Sequence, residues 1–135
     1  MSSFRIFDIA GSALSAQSVR LNTVASNLAN ADAVGSDPDA VYKARMPVFE
    51  AAGEPGRTDS AGVRVLGVVE SQLAAEKRYE PGHPLADAEG YVYAPNVNVV
   101  EEMVNMISAA RSYQSSVEVI NTAKELALAT LNLGK

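Results

Sequence analysis

The sequence predicts an α+β protein in which two long terminal helices pair antiparallel, in coiled-coil fashion, beside a small β-rich middle segment. Three observations carry this. Apolar residues recur in a 4-3 rhythm at both ends of the chain. All six prolines and seven of the nine glycines lie between residues 35 and 95, and both residue types punctuate helices. Of 27 charged residues, 17 fall in 32–97, against three in 3–31 and six in 98–133. The middle is therefore the solvated, turn-rich part, and the ends are free to be helical and bare of charge. The expected division is an N-terminal helix over 1–31, a middle segment over 32–97 and a C-terminal helix over 98–135, the two helices sharing one core.

The first helix follows from a strict heptad. Phe7, Leu14, Leu21 and Leu28 stand seven apart, and Ala10, Gln17, Val24 and Ala31 follow each by three. Gln17 is the one polar member of this seam. The C-terminal stripe runs Val99, Met103, Met106, Ala110, Tyr113, Val117, Ile120, Lys124, Ala127 and Leu131, with Lys124 as its interruption. Asn98 suits the cap of that helix, with Glu101 three residues on, and Gly134 suits its stop. Thirty-six residues would make a rod of about 54 Å. The seam residues expected to carry helix pairing are Phe7, Leu14, Leu21, Val24, Leu28, Met103, Met106, Ala110, Tyr113, Val117, Ile120 and Leu131.

In the middle, "VYKARMPVFE" (41–50) and "GVRVLGVVES" (62–71) read as strands, rich in β-branched and aromatic residues and bounded by turn formers. "QLAAEKRYE" (72–80) is ambiguous: Leu, Ala and Glu favour helix, while Tyr79 before Pro81 favours an extended exit. "DAVGSDPDA" (32–40) and "AAGEPGRTDSAG" (51–62) are loops by composition.

Several function classes lose their footing here. A net charge of −5 and the lack of a basic patch speak against nucleic acid. No run reaches the roughly 20 apolar residues of a membrane span, and the N-terminus does not read as a cleavable signal. With no cysteine there is no thiolate chemistry and no disulfide. His83, the single histidine, stands between Gly82 and Pro84 with Asp87 nearby. Without a nucleophile, a metal set or a second base, it reads as a turn residue rather than a catalyst. No phosphate loop or dinucleotide fingerprint occurs, so neither an enzyme nor a cofactor is expected.

The rest of the helix circumference is the informative part. The stretch "LSAQSVRLNTVASNLANA" (14–31) contains one charge, Arg20. Off the C-terminal stripe stand Asn105, Ser108, Ala109, Ser112, Ser115, Ser116, Asn121, Thr122, Ala123 and Ala129. A solvated helix would use charged pairs here, whereas small uncharged residues let other helices approach closely. A hairpin leaves about half of each helix uncovered, so further helices are expected around it, most simply other copies of the chain in a repeating contact. A second reading remains on these residues alone: a soluble adaptor or export chaperone whose hairpin binds one partner helix.

"ALSAQSVRLNTVASNLANAD" (13–32) resembles the N-terminal motif of the flagellar rod and hook axial proteins. The segment from Tyr79 to Gly134 resembles the C-terminal half of the proximal-rod branch of that family, and the likeness runs through "VYKARMPVF" (41–49), covering nearly the whole chain. The motif positions are Ser26, Asn27, Leu28, Ala29, Asn30, Tyr42, Pro95, Asn96, Glu102, Met103, Arg111 and Tyr113. Two departures stand out. "DAVGSDPDAVYKAR" replaces the Thr-Pro-Gly-Tyr-like turn of the larger relatives, and Ser115-Ser116 stands where the family tends to have Ala-Asn.

The resemblance implies a structural subunit of the bacterial flagellar basal-body rod, self-assembling in the periplasm and exported by the type III route without a cleaved signal. Its implied partners are other copies of itself, the other proximal rod proteins, the junction protein between rod and MS ring, the distal rod protein and the export apparatus. Neither nucleic acid nor direct membrane insertion is implied. The charged middle would face outward, and the helices would stiffen a shaft that transmits torque for motility.

Overall fold

A computed structural model of the chain describes residues 3–53 and 61–135, with side chains from Arg5 onward. Its elements run α1 (Ser3–Ala29), β1 (Arg45–Ala52), β2 (Gly62–Glu70), β3 (Glu76–Tyr79), β4 (Tyr91–Ala94) and α2 (Val99–Leu133). The expected α+β class and the two long terminal helices are present. Two compact units share these elements: Met1–Leu21 with Pro47–Gly67 and Ile107–Lys135, and Asn22–Met46 with Val68–Met106. One unit thus holds the start of α1 and the end of α2, and the other the reverse, so the helices run antiparallel.

The second unit contains the only sheet with a hydrophobic layer among the described residues. β3 and β4 pair antiparallel from Glu76↔Ala94 to Tyr79↔Tyr91, so the ambiguous 72–80 segment is strand at 76–79 and irregular at 72–75 and 80, with no helix. Gly35 bridges to Tyr93 through two 2.9 Å backbone hydrogen bonds, so β4 is paired on both sides at that point. Alternation then sorts the side chains. Val92 and Ala94 are wholly buried, while Tyr91 and Tyr93 are half-buried. Tyr91 packs edge-on against Tyr79 at 5.1 Å and carries the Lys77 ammonium 4.0 Å from its ring centre.

The turn between β3 and β4 rests on Asp87 and Gly90. The Asp87 carboxylate accepts from the backbone N–H of Glu89 and of Tyr91, each at 2.9 Å. Those bonds, that of Tyr91 above all, hold its carboxyl below the ordinary carboxylate value. Gly90 has φ +86°, and a Cβ there would sit 3.0 Å from Tyr79 and 3.1 Å from Pro81. His83 behaves as the turn residue the sequence suggests: its Nδ1 accepts from the Leu85 N–H at 3.1 Å.

β1 and β2 form a separate two-stranded sheet. Arg45 pairs with Glu70 at 3.2 Å at one end of the ribbon and Arg64 with Glu50 at 3.0 Å at the other. All four side chains are about half exposed or more, so these pairs register the strands more than they stabilise them. The expected strand 41–50 becomes β1 only from Arg45; residues 41–44 are irregular and held by side chains described below. Residues 51 and 52 remain strand, and most of the expected 51–62 loop lies outside the described residues.

In the first unit β2 begins against α1. The Ser12 hydroxyl donates to the Ile9 carbonyl at 2.7 Å and accepts from the Val63 N–H at 3.0 Å. At the head of α2, Asn98 caps as expected, its Oδ1 accepting from the Glu101 N–H at 3.2 Å. The C-terminal stop differs. Among the described residues only Gly67 and Gly90 have positive φ, so Gly134 follows the helix without the left-handed turn that favours glycine there.

Two outcomes follow for the β3–β4 turn. Gly90→Ala should cost about 1–2 kcal/mol from its backbone alone, with further loss from the crowding, read as a lower urea midpoint. Because the Asp87 carboxyl titrates below its unfolded value, its contribution is complete above about pH 4 and fades as pH falls through the folded value. Amide exchange at Glu89 and Tyr91 should therefore accelerate in acid more than in Asp87→Asn, which keeps one acceptor oxygen and does not titrate.

Candidate assembly site

The last turn of α1 buries an asparagine. Asn27 is 1% exposed, and a carboxamide so placed must find partners for two donors and two acceptor sites. It finds four. Its Oδ1 accepts from the Arg45 N–H at 2.9 Å and from the Tyr42 hydroxyl at 2.8 Å. Its Nδ2 donates to the Arg45 carbonyl at 2.9 Å and to Glu102 Oε2 at 3.1 Å. Towards Arg45 the amide thus behaves as a neighbouring strand would, taking the N–H and the C=O of one residue together. Towards Glu102 it reaches the first turns of α2.

A second asparagine repeats the device. Asn96 Oδ1 accepts from the Ala44 N–H at 2.8 Å, and its Nδ2 donates to the Leu73 carbonyl at 2.9 Å. Ala44 O in turn accepts from Ser71 N–H at 2.7 Å. The Ser26 and Tyr42 hydroxyls lie 3.2 Å apart, and Asn30 Nδ2 donates at 2.9 Å to the Ser26 carbonyl, which also accepts from the Asn30 N–H at 3.2 Å. The Arg45 guanidinium stands 5.5 Å from the Tyr42 ring centre. Of the motif positions, Ser26, Asn27, Asn30, Tyr42, Asn96 and Glu102 therefore meet in one hydrogen-bonded cluster, and Pro95 is fully buried in the same unit. Leu28 is half-buried; Ala29, Met103, Arg111 and Tyr113 are exposed.

The helix seam is rotated from its expected position. On α1, Ala10, Val24 and Ala31 of the heptad are buried, but Phe7, Leu14, Leu21 and Leu28 are only half-buried. Also buried are Ala16, Thr23 and Asn27, each one position before a seam residue. On α2 the buried residues are Ala109 and Ala123, again one position early. Met106, Ala110, Val117 and Ile120 flank them half-buried. Met103, Tyr113 and Leu131 are 53%, 38% and 67% exposed in the single chain. Ala16, Ala109 and Ala123 are small, and small side chains are the ones that permit a close neighbour. Reading the seam one residue earlier also removes its interruption, since Ala123 fills the position and Lys124 points outward.

Gln17 is half-buried, and its amide oxygen is buried without a hydrogen-bond partner. Ser116, at the departure from the family pattern, donates to the Ser112 carbonyl of its own helix at 3.0 Å. In the first unit Ile6, Ile9, Ala10 and Ala13 of α1 line a groove of about 310 Å³ with Ser115, Ser116 and Val119 of α2. No helix among the described residues is long and apolar enough to cross a membrane.

Both ends match protein families: residues 7–35 match "Flagella basal body rod protein", and 88–133 match "Flagellar basal body rod FlgEFG protein C-terminal". The chain is 56% identical to the flagellar basal-body rod protein FlgC of Salmonella typhimurium and to that of Escherichia coli O6:H1, and 55% identical to that of Yersinia enterocolitica. Each of these alignments covers the whole of both chains. The chain belongs to the FlgC family of flagellar basal-body rod proteins. That family is structural and not enzymatic, which sets aside the adaptor reading.

Asn27→Ala should orphan the Arg45 N–H and C=O and take one partner each from Tyr42 and Glu102. At roughly 1–3 kcal/mol per stranded group, a loss of about 3 kcal/mol or more is expected in urea unfolding. Tyr42→Phe removes one hydroxyl from the same cluster and should cost about 1 kcal/mol. Equal losses for the two variants would show that the amide is not the centre of the network.

Proposed function

We propose that the chain polymerises through its two terminal helices as a subunit of the proximal rod, the part of the flagellar shaft that crosses the periplasm. The observation that carries this is the apolar surface left on α2. Val100, Met103, Val104, Ile107, Leu126 and Leu131 are all more than half exposed on a helix with six charges between 98 and 133. A monomer in water would not keep such a surface open, whereas a stack of helices covers it.

In this reading residues 1–31 and 98–135 form the assembling part, and 32–97 the outward, charged part. Met103, Tyr113 and Leu131 serve contacts between subunits, while Leu14, Leu21, Val24, Leu28, Met106, Ala110, Val117 and Ile120 serve both the pair and its neighbours. The partners are further copies, the other proximal rod proteins, the rod–MS-ring junction protein and the distal rod protein. Delivery is by the flagellar export apparatus without a cleaved signal. Close packing on small residues makes the stack stiff enough to transmit torque.

Leu21→Asp tests the helix role. It places a carboxylate on a half-buried position, where an unpaired charge costs several kcal/mol, on the order of 3–5 when it is fully enclosed. The variant should be exported at the normal level and be missing from purified basal bodies, leaving cells non-motile. Normal swimming by cells with only this variant would count heavily against the proposal.

A further inference from the structure

Among the described residues, α2 ends in a run that is largely exposed. Ala123 is the last buried residue of the helix, and every residue from Leu128 onward is exposed. The final eight helical residues, Leu126–Leu133, read "LALATLNL" and carry no charge. Leu126 is 64%, Leu128 50%, Leu131 67% and Leu133 88% exposed. Leu128 and Leu131, three apart, share one face of the helix, and Leu126 and Leu133, seven apart, share the opposite one; the Leu128/Leu131 face is the one that can enter a single groove.

The same unit contains a receptor of matching character. The groove of Ile6, Ile9, Ala10, Ala13, Ser115, Ser116 and Val119 lies between two helices, is apolar or small throughout, and has no charged side chain in its lining. From Ile6 to Ala13 it follows α1 for about 10.5 Å, and an eight-residue helical segment is about 12 Å long. A membrane or a nucleic acid would be met by cations at one of these surfaces; neither surface has any.

We propose that the two surfaces meet between copies: Leu126–Leu133 of one chain docks in the Ile6–Ala13/Ser115–Val119 groove of the next. Donor and acceptor are different patches of one chain, so the contact is head-to-tail and repeats without closing. It rests on the assembly reading above and adds its polarity, with the C-terminal end of each subunit capturing the paired helices of its neighbour.

The absence of native cysteine allows a direct test. Two full-length versions carrying different tags, one with Ile9→Cys and one with Leu131→Cys, are expressed together in cells lacking their own copy, and intact cells are oxidised. With one cysteine per chain, a disulfide can form only between copies. The expected result is a mixed-tag dimer several-fold stronger than either like-with-like dimer, and lost when assembly is blocked upstream. If this pair halts swimming, Ile6→Cys with Leu128→Cys replaces it. A swimming strain without the mixed dimer at either pair overturns the contact and leaves rod assembly standing. A dominant Ile9–Ile9 dimer of Cys variants shows a symmetric contact and overturns it too. Absence of the wild-type chain from purified basal bodies would overturn the assembly reading and this contact with it.

Discussion

A buried carboxamide cannot be half satisfied, and that constraint organises the second unit. Asn27 offers two donors and two acceptor sites at 1% exposure, and each is used. A leucine at this position would fill the space and accept many backbone arrangements around it. The amide accepts one, because four bonds of 2.8–3.1 Å fix both position and rotation. Residues 42–45 are thereby tied to α1 without belonging to a helix or, until Arg45, to a strand. Glu102 brings the head of α2 to the same amide, and Asn96 extends the arrangement to residues 44 and 73. Polar specificity here does what a small apolar core, with Val92 and Ala94 at its centre, could not do alone.

The seam follows a different principle. Leucine at every seventh position is an invitation to pack, and the chain declines it halfway. Ala16, Ala109 and Ala123 take the buried line, and the large residues are left on its flanks, partly covered. Within one chain this wastes hydrophobic surface, since each half-exposed leucine forfeits part of the ~1.5–3 kcal/mol its full burial would contribute. In a stack of helices nothing is wasted. Small residues set a close spacing inside the pair, and the flanking leucines and methionines become the material of the next contact. The same chemistry that leaves the isolated chain poorly covered would make a stack of its helices dense.

This explains which parts were legible in the sequence. Helix existence and extent followed from charge and proline distribution, which act on every residue of a long segment at once. The cap at Asn98 was legible because capping is local. The direction in which the seam faces was not: the heptad of Phe7, Leu14, Leu21 and Leu28 marks where hydrophobicity is greatest, while burial depends on which residues let a neighbour come close. Ala109 and Ala123, set aside as off-stripe, were the signal for that, together with the misfit of Lys124. The motif positions Asn27, Tyr42, Asn96 and Glu102 were named by resemblance, but their common purpose was out of reach. They are separated by up to 75 residues, and no local pattern links them. Only an asparagine amid apolar helix residues hinted at a buried polar centre.

The two units also differ in what would disturb them. The second is closed by directional bonds among Asn27, Tyr42, Asn96, Ser71 and Asp87, whose distances leave little freedom. The first has the Ser12–Val63 bond and the exposed Arg64–Glu50 pair beside an apolar groove and exposed leucines, and apolar contacts of that kind tolerate sliding and repacking. A flagellar basal-body rod protein, which assembles with other rod components, has use for both properties. Directional bonding keeps the fold of each copy the same, and non-directional apolar surface lets equivalent helices seat against partners that are similar without being identical. The division of labour is written in residue type: asparagine and tyrosine where one geometry is required, leucine, isoleucine and alanine where several must serve.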